Sequence, residues 1–239
     1  MPSQITQLNM NGINKDISSY ELPPTVWSDG NNVQFDNDKT KKVLGHEQIF
    51  GTLLGAPYWL LYHDTIASDY WLYPTLTKIN KVNKAGSTST HTDVTRTSGG
   101  DYSATAQGGW NGGILGGVAI LNNGSDVPQM LGESPTYCQD LSNWTVGHTA
   151  KVIRPFKRFL VALDKTESGT RYPFRVHWSH PAEGGTVPVT WDSSDATKDA
   201  GYVDLSQSNG WVKDCLPLKD TNIIYKEDSV WAMDYSGGQ

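Results

Sequence analysis

No apolar segment of this chain runs longer than a β-strand, and those in its last third are each closed by polar turn residues. Between Lys151 and Tyr235, three segments have strand length: Phe159-Leu160-Val161-Ala162-Leu163, Tyr172-Pro173-Phe174-Arg175-Val176-His177-Trp178 and Asn222-Ile223-Ile224-Tyr225. In the second, Phe174, Val176 and Trp178 alternate with Arg175 and His177, the period-2 pattern of a strand buried on one side. The turn between the first two segments, residues 164–171, contains Ser168-Gly169, so the pair predicts a hairpin. A second hairpin is predicted from Ile223-Ile224-Tyr225, the polar tetrad Lys226-Glu227-Asp228-Ser229 and Val230-Trp231-Ala232-Met233. Residues 187–191 and 201–205 read as further short strands between the hairpins. Nothing in this region has a helical period.

Upstream the same grammar continues. Residues 1–24 are rich in Asn, Gln and Ser and end in Pro23-Pro24, which predicts an extended arm that gains order only against neighbouring proteins. An Asp29-Gly30 turn feeds a strand ending at Phe35, and residues 47–52, between Gly45 and Gly51, read as another. Tyr58-Trp59-Leu60-Leu61-Tyr62 and Tyr70-Trp71-Leu72-Tyr73 flank a turn at His63-Asp64, and strict apolar/polar alternation runs on through residues 75–82, which predicts a hairpin with an added strand. The Ser- and Thr-rich tract 85–95 reads as a loop or an edge strand. Two repeats stand out: Tyr102 with Gly109-Trp110 before Val118-Ala119-Ile120-Leu121, and Tyr202 with Gly210-Trp211 before Asn222-Ile223-Ile224-Tyr225. Strand-like units ending in Trp recur at residues 141–145 and 188–192. Hairpin cores near Leu61, Leu121, Leu163 and Tyr225 lie about 40 to 60 residues apart, the spacing of propeller blades. The expected fold is therefore all-β and β-propeller-like, with antiparallel blades over residues 25–239 and an extended N-terminal arm over residues 1–24.

Composition supports the class and narrows the function. With 24 Gly, 9 Trp and 11 Tyr but only 18% charged residues, the chain suits aromatic-packed sheets better than amphipathic helices. A net charge of -6 argues against tight nucleic-acid binding, despite the small basic cluster Lys39, Lys41 and Lys42. Cys138 and Cys215 are too few for a disulfide framework, and residues 1–11 lack the pattern of a secretion signal, which predicts folding in a reducing cytosol. Accordingly the sequons Asn123-Gly124-Ser125 and Asn143-Trp144-Thr145 are expected to be turns. The longest apolar run, near residues 58–62, is strand-sized, so no membrane span is expected.

Chemical motifs are weak. The run Gly108-Gly109-Trp110-Asn111-Gly112-Gly113-Ile114-Leu115-Gly116-Gly117 lacks the Lys-Ser/Thr of a phosphate-binding loop and reads as glycine turns leading into a strand. His177 and His180, three apart, fall on opposite faces of an extended segment and make poor joint ligands; no metal or cofactor is expected. Asp192, Asp195, Asp199 and Asp204 could supply paired carboxylates but sit at predicted turns, and no Gly-x-Ser-x-Gly elbow occurs, so no enzymatic activity and no catalytic residue is assigned. Trp59, Trp71, Trp110, Trp178, Trp191, Trp211 and Trp231 form either a core or a sugar-stacking platform; strand spacing favours the core.

Two blocks of residues resemble a known group of proteins. The first comprises Gly12-Ile13-Asn14-Lys15-Asp16, Leu22-Pro23-Pro24, Trp27-Ser28-Asp29-Gly30-Asn31-Asn32-Val33-Gln34-Phe35 and Lys42-Val43-Leu44-Gly45-His46-Glu47. The second comprises Arg154-Pro155-Phe156-Lys157-Arg158-Phe159-Leu160-Val161-Ala162-Leu163, Tyr172-Pro173, Val176-His177-Trp178-Ser179-His180-Pro181, Ala200-Gly201-Tyr202-Val203-Asp204-Leu205 and Ile224-Tyr225-Lys226-Glu227-Asp228-Ser229-Val230. Together they resemble virion structural proteins of tailed bacteriophages, in particular the tail nozzle or packaged-DNA stabilisation proteins of short-tailed phages; residues 85–145 match less well. The resemblance implies a propeller that assembles as a homo-oligomeric ring, usually six copies, in the virion tail. It implies assembly in the host cytoplasm, with the phage adaptor and tail fibre proteins as neighbours. DNA would pass through transiently during genome ejection. The alternative is a tail-associated carbohydrate-binding or depolymerase propeller that engages the host envelope. Because the last predicted hairpin runs into Ser236-Gly237-Gly238-Gln239 and a blade normally has four strands, either the polypeptide is expected to continue past Gln239, making 25–239 an incomplete portion, or a neighbouring chain supplies the missing strands.

Overall fold

The computed structural model of the protein describes residues 12–36, 39–45, 47–66, 68–106, 109–133 and 136–236. Among them are 17 β-strands and no helix, and every strand pairing is antiparallel. The chain divides into two compact units, Met1–Ile49 and Phe50–Gln239.

The first unit holds one hairpin, β1 (Val33–Asp36) with β2 (Lys39–Lys42), in which Lys41 pairs with Asp36. Residues 12–24, the described part of the predicted arm, are mostly turns and bends and connect to the following residues through a parallel bridge between Ile13 and Trp27 and a Lys15–Asp29 ion pair. The arm expectation for residues 1–11 lies outside the described residues.

The second unit is four sheets, each a meander of consecutive strands. Sheet I is β3 (Leu61–Asp64), β4 (Asp69–Pro74), β5 (Ile79–Ala85) and β6 (Thr88–Asp93). Sheet II is β7 (Asn111–Leu115), β8 (Val118–Asn122), β9 (Gln129–Leu131) and β10 (Gln139–Asp140). Sheet III is β11 (His148–Phe156), β12 (Phe159–Glu167), β13 (Thr170–Trp178) and β14 (Gly201–Asp204). Sheet IV is β15 (Val212–Leu218), β16 (Thr221–Lys226) and β17 (Val230–Asp234). The hairpin predicted around Ser168-Gly169 forms as a tight two-residue turn, with both residues at positive φ as the strand twist demands.

Three apolar clusters lie between successive sheets. Tyr70, Leu72 and Ile79 meet Ala119, Leu121 and Leu131 between sheets I and II. Leu115, Val118 and Ile120 meet Ala150, Ile153, Leu160 and Ala162 between II and III. Phe156, Val161, Leu163 and Val176 meet Val212, Cys215 and Ile224 between III and IV. Side chains alternate along a strand, so Ala119 and Leu121 point one way from β8 while Val118 and Ile120 point the other. Burial on both faces explains why Val118-Ala119-Ile120-Leu121 and Phe159-Leu160-Val161-Ala162-Leu163 are unbroken apolar runs.

The seam between sheets II and III is also polar. Asn111 Oδ1 accepts the Ile153 N–H at 2.9 Å, and its Nδ2 donates to the Lys151 carbonyl at 2.9 Å. Asn122 Nδ2 donates to the Ala150 carbonyl at 3.0 Å. Close approach to β11 requires glycine at 113, where a Cβ would stand 2.7 Å from the Pro155 ring, while Gly112, at a φ of 143°, leaves room within sheet II for the Ile120 carbonyl of β8. Arg154 then ties three sheets together. Its guanidinium makes a fork to Asp214 of β15 at 2.9 and 2.8 Å and donates to the Gly112 carbonyl of β7 at 3.1 Å.

Several sequence expectations are corrected. Residues 47–52 form no strand: the Phe50 ring lies 6.4 Å from the Trp71 ring, and its carbonyl accepts His91 Nε2 at 2.7 Å. The strand expected over residues 75–82 forms as β5 but starts only at Ile79, because Thr75 closes a turn with Lys78 where the chain reverses. Residues 187–191 are not a strand; the Pro188, Thr190 and Trp191 carbonyls are taken by Asn143, His180 and His177 in tertiary contacts. Residues 141–145 form a turn as well, with Trp144 N–H bonded to the Leu141 carbonyl. The polar tract 85–95 contributes β6, an edge strand of sheet I.

If the seam carries the stack, Asn111→Ala should lower stability by about 1–3 kcal/mol, since it strands a buried N–H and a buried carbonyl. Urea unfolding followed by tryptophan fluorescence would read this as a lower midpoint at unchanged slope, and a midpoint equal to that of the unaltered protein would refute it.

Candidate functional site

A cluster of charged side chains sits inside the second unit, on the side of sheet III where Ala162 stands opposite His177. Its placement depends on an irregularity in β12: the register with β13 shifts between Leu163 and Lys165, and Asp164 adopts a φ of 49°. Such a bulge re-aims the following side chain, and here it brings Lys165 to His177. Lys165 is 2% exposed; its ammonium donates to His177 Nδ1 at 2.7 Å and lies 3.2 Å from a Glu167 oxygen. Arg175 bridges onward to the other Glu167 oxygen at 3.1 Å and makes a fork to Asp204. The Arg175 guanidinium is sandwiched between the Tyr172 and Tyr202 rings, 3.8 and 4.0 Å from their centres.

The protons of this cluster are set by its geometry. His177 Nε2 lies 2.8 Å from the Trp191 carbonyl and donates to it, which leaves Nδ1 to accept from Lys165. Burial, aided by the neighbouring Lys165 charge, pushes the His177 pKa down to about 4. Burial also lowers Lys165, against the upward pull of Glu167. For Glu167 burial pulls upward, but Lys165 and Arg175 outweigh it and hold the carboxyl below its ordinary value.

The sequence alternation marked Arg175 and His177 as solvent-facing, and they are instead buried. The reason is the long connection between β13 and β14: it folds back over them, and Trp191 packs edge-on to both His177 and Trp144. Nothing in the local pattern signals this cover.

Chemically the cluster is closed. A neutral lysine nucleophile needs access, and Lys165 is enclosed by His177, Glu167 and the Trp144 ring. Two cavities of the unit do not reach it. One, of about 470 Å³, lies beside β17 among Phe159, Trp178, Leu205, Trp231 and Met233; the other, of about 770 Å³, borders Gly117, Met130 and Val187.

The other sequence candidates are dispersed. Asp192 and Asp195 cap their own turns, each accepting a backbone N–H and a hydroxyl, from Ser194 and Thr197 respectively. Asp204 serves Arg175, and Asp199 lies 3.9 Å from His180 Nδ1. Among the described carboxylates with a displaced pKa, Asp29, Glu167, Asp192, Asp195 and Glu227, all are displaced downward, the reverse of what a general acid needs. No group of three or more His, Cys, Asp or Glu among the described residues is placed to hold a metal ion. Gly108 lies outside the described residues; Gly112 and Gly113 belong to β7, and Gly116-Gly117 make its turn into β8.

Trp59, Trp110, Trp178, Trp191 and Trp231 belong to or pack on the apolar clusters, whereas Trp211 is 43% exposed with Arg171 over its ring at 4.1 Å. The two Tyr-Gly-Trp repeats therefore mark equivalent places, just before the first strands of sheets II and IV, but only Tyr102 and Trp110 are buried. Both sequons are turns: Asn123 Oδ1 accepts from Ser125 and Asp126, and Asn143 has a φ of 61°. Cys138 and Cys215 are buried in separate clusters, and burial pushes each thiol up to about 12. No helix among the described residues is long and apolar enough to cross a membrane.

The neutral His177 makes stability depend on pH. Unfolded, the imidazole binds a proton near pH 6.5; folded, only near 4. Its contribution is thus full above 6.5 and is lost as pH falls from 6.5 to 4, by up to about 3 kcal/mol. In His177→Gln, which keeps an acceptor for Lys165 and a donor for Trp191, this component should vanish from the pH-stability curve; identical curves for the two proteins would rule it out.

Set against known proteins, the chain matches no protein-family model and no curated protein sequence.

Proposed function

We propose that the protein is a non-catalytic structural component of a bacteriophage tail, a nozzle-ring subunit whose sheets are the blades of a β-propeller. The observation that carries this reading is the order of the sheets. They stack in chain sequence, I on II on III on IV, with Arg154 joining the first strands of II, III and IV. Blades set around an axis by their first strands have this order. The sequence resemblance supplies the biological setting: about six copies side by side below the portal and adaptor, extending the DNA exit conduit.

A conduit wall needs rigidity and weak affinity for its cargo. Rigidity is served by seams whose asparagine and arginine side chains are consumed in contacts between sheets. Weak affinity is served by a net charge of -6, which repels phosphates and lets the duplex slide.

Mass photometry of the purified protein should show a ring of about six subunits, and filter binding should show no retention of duplex DNA at physiological salt. Specific glycan binding or cleavage on an array, by a protein that forms no ring, would replace this reading with that of a carbohydrate-binding propeller.

A further inference from the structure

The chain has four Asn-Gly pairs, beginning at Asn11, Asn111, Asn123 and Asn209. In such a pair the glycine nitrogen, with no side chain beside it, can reach the side-chain carbonyl carbon of the asparagine, so the dipeptide is chemically labile wherever its surroundings leave it free. Asn11 lies outside the described residues, and the structure treats the other three differently. Asn111 is 6% exposed, its Oδ1 accepting the Ile153 N–H and its Nδ2 donating to the Lys151 carbonyl. Asn123 is 5% exposed; its Oδ1 accepts the N–H groups of Ser125 and Asp126, and its Nδ2 donates to Asp126 Oδ2 at 2.7 Å. Asn209 is exposed, and among the described residues neither its amide nor the Gly210 N–H has a hydrogen-bond partner.

The pair sits in the loop 205–211, which joins β14 of sheet III to β15 of sheet IV. Its neighbours on both sides are anchored. The Ser208 carbonyl and hydroxyl accept from the Lys226 ammonium at 2.6 and 2.8 Å, and the Leu205 carbonyl accepts from the same ammonium at 2.6 Å. Lys226 is 6% exposed, and among the described residues no carboxylate pairs with it, so this loop is what satisfies its charge. On the far side the Trp211 N–H donates to Glu227 Oε2 at 2.9 Å, and the Trp211 carbonyl accepts the Glu227 N–H at 3.1 Å. Asn209 and Gly210 are the unheld link between these two anchors.

We infer that Asn209-Gly210 is a site of spontaneous deamidation, and that its product loosens the loop between sheets III and IV. The Gly210 nitrogen bonds to the Asn209 side-chain carbonyl carbon; the bond from that carbon to the amide nitrogen breaks, and ammonia leaves with the proton that the Gly210 nitrogen gives up. The resulting cyclic imide takes up one water. Opening at one carbonyl gives aspartate, and opening at the other gives isoaspartate, in which the backbone runs through the former side chain and is one methylene longer. Either product puts a carboxylate where two already crowd: a Cβ on Gly210 would stand 2.7 Å from Glu227 Cβ and 3.1 Å from Asp228 Oδ2. The longer backbone also shifts Ser208 relative to Trp211, and with it two of the acceptors that surround Lys226.

The test incubates the full chain in mildly alkaline buffer and follows the deamidated fraction at Asn111, Asn123 and Asn209 by peptide mass spectrometry, beside short synthetic peptides of the same three sequences. In the folded protein Asn209 should convert about tenfold or more faster than Asn111 and Asn123, which react only from a small locally opened population, while the three peptides convert at similar rates. Equal conversion at the three sites of the folded chain, or an Asn209 that keeps its amide while its peptide reacts, overturns the site. Loosening is read separately. The aged protein should melt lower by about 2–4 °C, whereas equally aged Asn209→Gln, whose longer side chain closes the ring poorly, should hold its melting temperature. Conversion at Asn209 with an unchanged melting temperature, or an equal fall in Asn209→Gln, overturns the loosening.

Discussion

The fold depends on how closely two backbones can approach where sheet II crosses β11. Gly113 lacks the side chain that would collide with Pro155 of β11, and Asn111 and Asn122 then reach the backbone of Ala150, Lys151 and Ile153. These groups lie inside the protein, where an unmet N–H or carbonyl costs about 1–3 kcal/mol, so the asparagines specify one spacing and one register between sheets. Apolar contacts alone would tolerate sliding. Arg154 extends the arrangement to sheet IV through a fork to Asp214, and one guanidinium thereby coordinates three first strands.

Away from that seam, sheet III carries charges that would be expensive in isolation. Lys165, Glu167, Arg175 and Asp204 alternate in sign, so each charge has an opposite neighbour, and His177 stays neutral because burial, and then the Lys165 charge beside it, disfavours the imidazolium. The arrangement is coherent as a structural element. It binds the connection between β13 and β14 to its sheet through the Trp191 carbonyl and indole, and it leaves no group free to meet a substrate.

Many buried polar side chains join strand to strand or loop to sheet, as Asn111, Asn122 and His177 do. Among the described residues Asn122 Oδ1, His148 Nδ1, Trp191 Nε1 and both polar atoms of the Asn222 amide are buried without a partner. Exposed apolar side chains remain on sheet IV, Leu216, Leu218, Tyr225 and Val230 among them.

The hairpins around Ser168-Gly169 and residues 227–229, the edge strand in the Ser/Thr tract, and the all-β class were legible because strand period and turn chemistry are local properties of the sequence. Two of the failures share one cause. Residues 47–52 and 187–191 have strand-like composition, yet their backbone groups are claimed by His91, Asn143, His180 and His177, residues distant along the chain. Arg175 and His177 looked solvent-facing because alternation reports one sheet face and cannot report a loop that returns to cover the other. The sequence by itself thus determined which segments pair into meanders, since adjacent strands need only a suitable turn. Only the tertiary structure decided which faces are covered and which charges are neutralised, because those outcomes depend on sheets and loops brought together from opposite ends of the chain.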